Sequence, residues 1–75
     1  MTIEQLNRRE EFKRRAKGFA FSHLDEVKGW CTYLDADGYY SEIDGWKDGH
    51  LLRVTYLENG THTVEDKTYL VIGTP

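Results

Sequence analysis

The spacing of hydrophobic and polar positions changes once along the chain. From Ile3 to Lys17 the apolar residues Ile3, Leu6, Phe12 and Ala16 are separated by polar and charged positions, with neither Gly nor Pro before Gly18. Thr2 followed by Gln5 is a capping-box signature, and Gly18 suits the position just past a helix end. This pattern predicts a helix over residues 3–17. Its apolar arc is broad and interrupted, so loose docking is expected.

Residues 18–28, GFAFSHLDEVK, fit two patterns. Phe19 and Phe21 alternate as in a short strand, whereas Ser22 with Asp25 suits the cap of a single helical turn. The stretch is expected to act as a connector whose aromatics cover one end of the core. From Gly29 the texture becomes β. GWCTYL, GYYSEI, HLLRVTYLE, THTV and TYLVI are rich in β-branched, aromatic and aliphatic residues, and ADG, WKDG and ENG punctuate them. Gly38, Gly49 and Gly60 can take positive φ, and Asn59-Gly60 is a strong hairpin signal. The predicted class is α+β, mainly β: an N-terminal helix (1–17), a connector (18–28) and a small antiparallel barrel of four or five strands (29–75).

The stretch LDADGYYSEIDG, residues 34–45, gathers Asp35, Asp37, Glu42 and Asp44 around Gly38 as a calcium-binding loop would. An EF-hand needs oxygen ligands at positions 1, 3, 5 and 12 with Gly at 6. With Gly38 at position 6, Tyr33 falls on position 1 and the short Asp44 on position 12. The flanking sequences are strand-like where an EF-hand requires helices. Asp37-Gly38 therefore reads as a hairpin turn.

Length and charge change the picture in two ways. A 75-residue chain buries only about 60% of the surface its unfolded form exposes, so its core is small and a partner or a second copy would help it. The lone Cys31 cannot form an internal disulfide, Met1 is not followed by a leader-like stretch, and no apolar run approaches the ~20 residues of a membrane span. A soluble, cytoplasmic protein is expected. The net charge of −3 divides into +3 over residues 1–17 and −6 over the remainder. Glu4 with Arg8, Glu10 with Arg14 and Glu11 with Arg15 are spaced for intrahelical pairs, leaving Arg9, Lys13 and Lys17 as an unpaired stripe.

The order of features from Lys28 to Ile72 resembles the Tudor-type branch of SH3-like barrels. Gly29 and Cys31 in the first strand, the Asp37-Gly38 turn, Tyr39-Tyr40, LLRVTYLENGTHTV, a short polar helical turn at EDK and the closing strand TYLVI carry the likeness. The resemblance implies an SH3-like barrel and, in the methylated-peptide readers, an aromatic cage that holds a cation. Tyr40 and Tyr56 fall near cage positions, while Leu34 and Asn59 stand where aromatics would be expected. Tyr33, Tyr39, Trp30 or Trp46 would have to complete the wall.

No phosphate-binding loop, dinucleotide fingerprint or nucleophile elbow occurs, and the scattered carboxylates form no acid/base pair. Cys31, His23, His50 and His62 show no metal-ligand spacing. A non-enzyme without cofactor or metal is expected. The leading reading is a protein-binding module, an adaptor or inhibitor, that takes a basic partner. Tyr39, Tyr40, Tyr56 and Trp46 would supply contact area, and Asp35, Asp37, Glu42 and Asp44 would steer the partner. A small acidic inhibitor of this sort would suit a phage or mobile element. The alternative is nucleic-acid binding through Arg9, Lys13 and Lys17, and a third reading is a homo-oligomer assembled through the helix.

Overall fold

The computed structural model describes residues 2–72, with Val71 and Ile72 described in their backbone only. The chain runs α1 (Ile3–His23), β1 (Glu26–Asp35), β2 (Gly38–Lys47), β3 (His50–Leu57), β4 (His62–Asp66) and α2 (Tyr69–Ile72). The strands form one antiparallel sheet in the order β1-β2-β3-β4. The class is α+β, mainly β, as the sequence predicts.

α1 starts where expected. The Gln5 backbone N–H donates to Thr2 Oγ1 at 3.1 Å, and the Thr2 N–H donates to Gln5 Oε1 at 2.8 Å. It does not stop at Lys17. Gly18 stays helical and the helix continues to His23, with Leu24 as its C-cap, so the expected 18–28 connector is mostly the last turns of α1 and the start of β1. A helical Gly costs about 1 kcal/mol relative to Ala, and the extension offsets this by burying Ala20 and Leu24 and half-burying Phe19.

The docking face of α1 is Phe12, Ala16 and Ala20, a stripe at four-residue spacing that is fully covered. Ile3, Leu6 and Phe21 lie outside. The two alanines let the helix approach the sheet closely, and Phe12 fills the space in front of them. Its ring stacks on Tyr39 at 5.9 Å and on Tyr56 at 5.8 Å between centroids. A second cluster joins Ala20, Leu24, Ile43 and Val54. Docking is therefore close, contrary to the loose packing the interrupted arc suggests.

The acidic stretch around Gly38 is a hairpin turn. Asp35 Oδ1 accepts the Asp37 N–H at 2.8 Å, and Gly38 takes φ 118°. Asp48 and Gly49 form the two-residue β2–β3 turn with φ 51° and 82°, the paired positive values of a type I′ hairpin.

Two expectations of the sequence are corrected at the C-terminal end. Glu65 and Asp66 belong to β4 rather than to a polar helical turn, and TYLVI contributes α2 rather than a closing strand. The cause is local. Asp66 Oδ1 accepts both the N–H and the hydroxyl of Thr68, and Thr68 Oγ1 accepts the Leu51 N–H at 3.0 Å. This turn ends β4 and is tied to Leu51 at the start of β3, the Leu51 carbonyl accepting the Lys67 N–H at 2.7 Å. The sheet is accordingly open, and no closure into a barrel is seen among the described residues.

The expected i, i+4 pairs are replaced by better partners. Arg14 pairs with Glu11. Arg8 forms a two-point contact with Glu58, its Nε donating at 2.7 Å and its Nη2 at 2.6 Å, while Arg15 donates to the Glu58 carbonyl at 3.2 Å. Glu58 Oε1 also accepts the Tyr39 N–H at 3.0 Å. The Arg8 guanidinium and the Tyr39 amide hold the Glu58 carboxyl down at about 2 against an ordinary 4.5. A depressed folded-state pKa gives stability that is complete above pH 4.5 and is lost as pH falls toward 2. Glu58→Gln is expected to cost about 1 kcal/mol at neutral pH, between an exposed ion pair and a sheltered charged hydrogen bond. Thermal melts of both proteins from pH 6 downward check this, since the gap between them should close by about pH 2.

Candidate functional site

Strand parity and register decide which side chains meet. On β2, Tyr39, Ser41, Ile43 and Gly45 are buried against α1, and Tyr40, Glu42, Asp44 and Trp46 face the opposite way. On β3, Val54 and Tyr56 join the α1 side, and Arg53, Thr55 and Leu57 the other. Directly paired residues share a face. Tyr33 opposite Tyr40, Cys31 opposite Glu42, and Glu65 opposite Arg53 therefore extend the face that α1 leaves uncovered.

This parity divides the residues singled out from sequence. Tyr39 and Tyr56, expected to be exposed contact residues, are 7% and 8% exposed and form the wall against which Phe12 packs. They are core, because a small sheet covered by one helix draws its burial from aromatics. The cage implied by the Tudor resemblance needs Tyr40 and Tyr56 together, and they lie on opposite faces. Trp30 is half-buried on the α1 side, where its Nε1 is enclosed without an acceptor.

Tyr40, Trp46, Glu42 and Asp44 share the uncovered face. Tyr40 stacks on Tyr33 at 5.1 Å between centroids. The neighbouring Cys31 thiol is the main cause that raises the Tyr33 pKa. Asp44 accepts from Arg53 Nε at 2.8 Å and Nη2 at 3.1 Å. That contact holds the Asp44 carboxyl below its usual range and the Arg53 guanidinium above its own. Glu65 pairs with Lys67. Glu42 has no ion-pair partner among the described residues.

At one end of this face, Asp35 and Asp37 of the first hairpin meet Tyr40, Leu57 and Asn59 around a small pocket of about 140 Å³. Four of the eight residues singled out by the sequence, Asp35, Asp37, Tyr39 and Tyr40, line it, although they stand in different elements. Leu57 is an addition that the register discloses, since it pairs with Tyr40, and Asn59 follows it in the turn. Beside Glu58, which Arg8 already holds, the pocket offers the carboxylates of Asp35 and Asp37 and the Tyr40 ring to a cation. Trp46 sits at the far end of the face, opposite Leu51.

The residues weighed as zinc ligands are dispersed. His23 stacks on Phe19 and His62 lies tilted against it, at 3.9 Å and 4.6 Å between centroids, and His50 Nδ1 lies 3.0 Å from Asp66. Among the described residues no group of three or more His, Cys, Asp or Glu side chains could hold a metal ion. No helix among them is long and apolar enough to cross a membrane.

Arg9, Lys13 and Lys17 lie along the flank of α1 nearest β1. Arg9 and Lys13 border a groove floored by Trp30 and Thr32, Lys13 and Lys17 border a second concavity at Trp30, and a separate one lies between Gln5, Arg8 and Leu34. No family model, no curated protein and no solved structure matches this chain.

Proposed function

We propose that the protein is a non-enzymatic binding module that takes a basic protein segment on its uncovered sheet face, seating an Arg or Lys side chain between Asp35, Asp37 and Tyr40. The observation that carries this reading is the convergence of those three residues with Leu57 and Asn59 on one pocket. A cation there gains from the Tyr40 ring and from two carboxylates at once. The Tyr33–Tyr40 stack and Glu42 continue the same chemistry along the face. The net −6 charge of residues 18–75 steers a basic partner toward it. The likeness to Tudor-type barrels supports the choice of a small antiparallel sheet as a peptide-binding platform, with an acidic, aromatic end in place of a cage.

Anisotropy of labelled Arg- and Lys-containing peptides, titrated with wild-type protein and two variants, tests the proposal. Tyr40→Ala should weaken binding about ten-fold while leaving the thermal melt close to wild type, because Tyr40 lies outside both core clusters. Asp35→Asn with Asp37→Asn keeps an acceptor for the turn and should flatten the salt dependence. Equal affinity in wild type and both variants, or no wild-type binding to any basic peptide, would sink the proposal.

A further inference from the structure

β1 is an edge strand of unusual openness. It pairs only with β2, so the backbone groups turned the other way meet no strand among the described residues. Proteins blunt such edges with Lys, Pro, bulges or a covering element. Here the bulge lies at one end, between Val27 and Gly29. From there to Leu34 the edge reads GWCTYL, with no charge and no proline.

α1 runs beside this edge in a definite sense. Gln5 and Arg8 lie by Leu34, Arg9 by Thr32, and Lys13 and Lys17 by Trp30, so helix and strand advance in opposite directions. Where Arg9, Lys13, Trp30 and Thr32 line it, the groove has a volume of about 280 Å³. One wall carries Arg9, Lys13, Arg14 and Lys17, with Glu10 the one carboxylate among them. Among the described residues no carboxylate is within ion-pair distance of Arg9, Lys13 or Lys17. The other wall is a strand edge with donors and acceptors to spare.

We propose that the groove between α1 and β1 takes an extended acidic segment of a partner protein, which adds to β1 as a fifth strand and sets its carboxylates against Arg9, Lys13 and Lys17. The two walls agree in scale. Arg9 to Lys17 spans about 12 Å along a helix axis, and side chains at i, i+2 and i+4 on one face of a strand span about 13 Å. Acidic residues at alternate positions therefore meet all three cations, and the intervening side chains fall beside Cys31 and Tyr33 on the opposite face. Main-chain pairing supplies affinity and the alternate side chains supply selectivity.

Two other occupants fit less well. A single-stranded nucleic acid would satisfy the cations, but its phosphates only accept hydrogen bonds, and the β1 edge presents carbonyls as well as amides. A second copy paired β1 to β1 would bring two unpaired stripes of Arg9, Lys13 and Lys17 onto one face of the joined sheet. The repulsion between them opposes that arrangement.

The test uses the full chain and a fluorescein-labelled nonapeptide with Glu at alternate positions and Thr between. Two further peptides of the same sequence carry backbone N-methyl groups, one at the odd residues and one at the even residues. Wild-type protein should bind the parent peptide saturably. Only one N-methylated phase should bind comparably and the other at least about ten-fold more weakly, because only alternate amides of an added strand face β1. Arg9→Ala, Lys13→Ala and Lys17→Ala combined should weaken the parent peptide about ten-fold or more, with circular dichroism confirming the fold. Equal binding of both N-methylated phases would overturn strand addition without relying on any protein variant. So would absence of peptide binding, or capture of a single-stranded oligonucleotide in its place.

Discussion

Phe12→Ala is expected to leave the protein largely without a docked helix. Its ring is fully buried and stacks against both Tyr39 and Tyr56, so its removal opens a cavity at the centre of the first core cluster. Truncations of buried Phe cost about 3–5 kcal/mol. A domain of this size has only roughly 4–11 kcal/mol in total, by the usual stability per residue. The neighbours on the helix, Ala16 and Ala20, are too short to fill the gap. Urea denaturation followed by circular dichroism measures the loss, and Phe12→Leu, which keeps most of the volume, should lose clearly less. A loss under about 1 kcal/mol for Phe12→Ala would show that the cluster does not carry docking.

Gly45→Ala is the second large effect, and its cause is backbone against backbone. A Cβ at this position would fall inside contact distance of the Glu26 carbonyl oxygen and 2.8 Å from Leu24 Cδ1. β1 cannot retreat easily, because Glu26 pairs with Trp46 and the Asp25 N–H donates to the Trp46 carbonyl at 2.7 Å. Overpacking of a rigid site costs about 1–3 kcal/mol and more where the backbone must move, and the upper part of that range is expected. Gly29→Ala is the control. Nothing lies within 4 Å of a Cβ there, so Ala should be neutral or slightly stabilising. Paired melts of the two variants decide the matter, and comparable losses would refute the close-approach account.

Much of the sheet was legible because turn chemistry is local. Asp37-Gly38, Asp48-Gly49 and Asn59-Gly60 mark the three hairpins by residue type alone, and Thr2 with Gln5 marks the helix start. The helix end was not legible, because Gly18 carries a stop signal that only the burial of Ala20 and Leu24 outweighs. The docking stripe was hidden for a related reason: two of its three members are alanines, which give little hydrophobic contrast. Arg8 was assigned to Glu4 by spacing, whereas its partner Glu58 is 50 residues away and becomes a neighbour only after the sheet forms.

The candidate site was half legible. Charge and aromaticity single out Asp35, Asp37 and Tyr40, and the pocket brings them together. The same criteria single out Tyr39 and Tyr56, which lie in the core, because residue type does not reveal which face of a strand is covered. Tyr39 and Tyr40 had to point opposite ways, but which one faced α1 required the helix to be placed. The edge of β1 as a candidate surface follows from strand order, which composition does not contain.

The unbroken strand order has a further consequence for how the chain reaches this state. Each hairpin closes on its neighbour in sequence, so the sheet can zip through short loops at little entropic cost. Docking of α1 is the one long-range event, joining Arg8 and Phe12 to strands that end near residue 58. During synthesis α1 therefore leaves the ribosome before the strands, as a helix that alone is only marginally stable. It gains its seat only when β3 has followed it out.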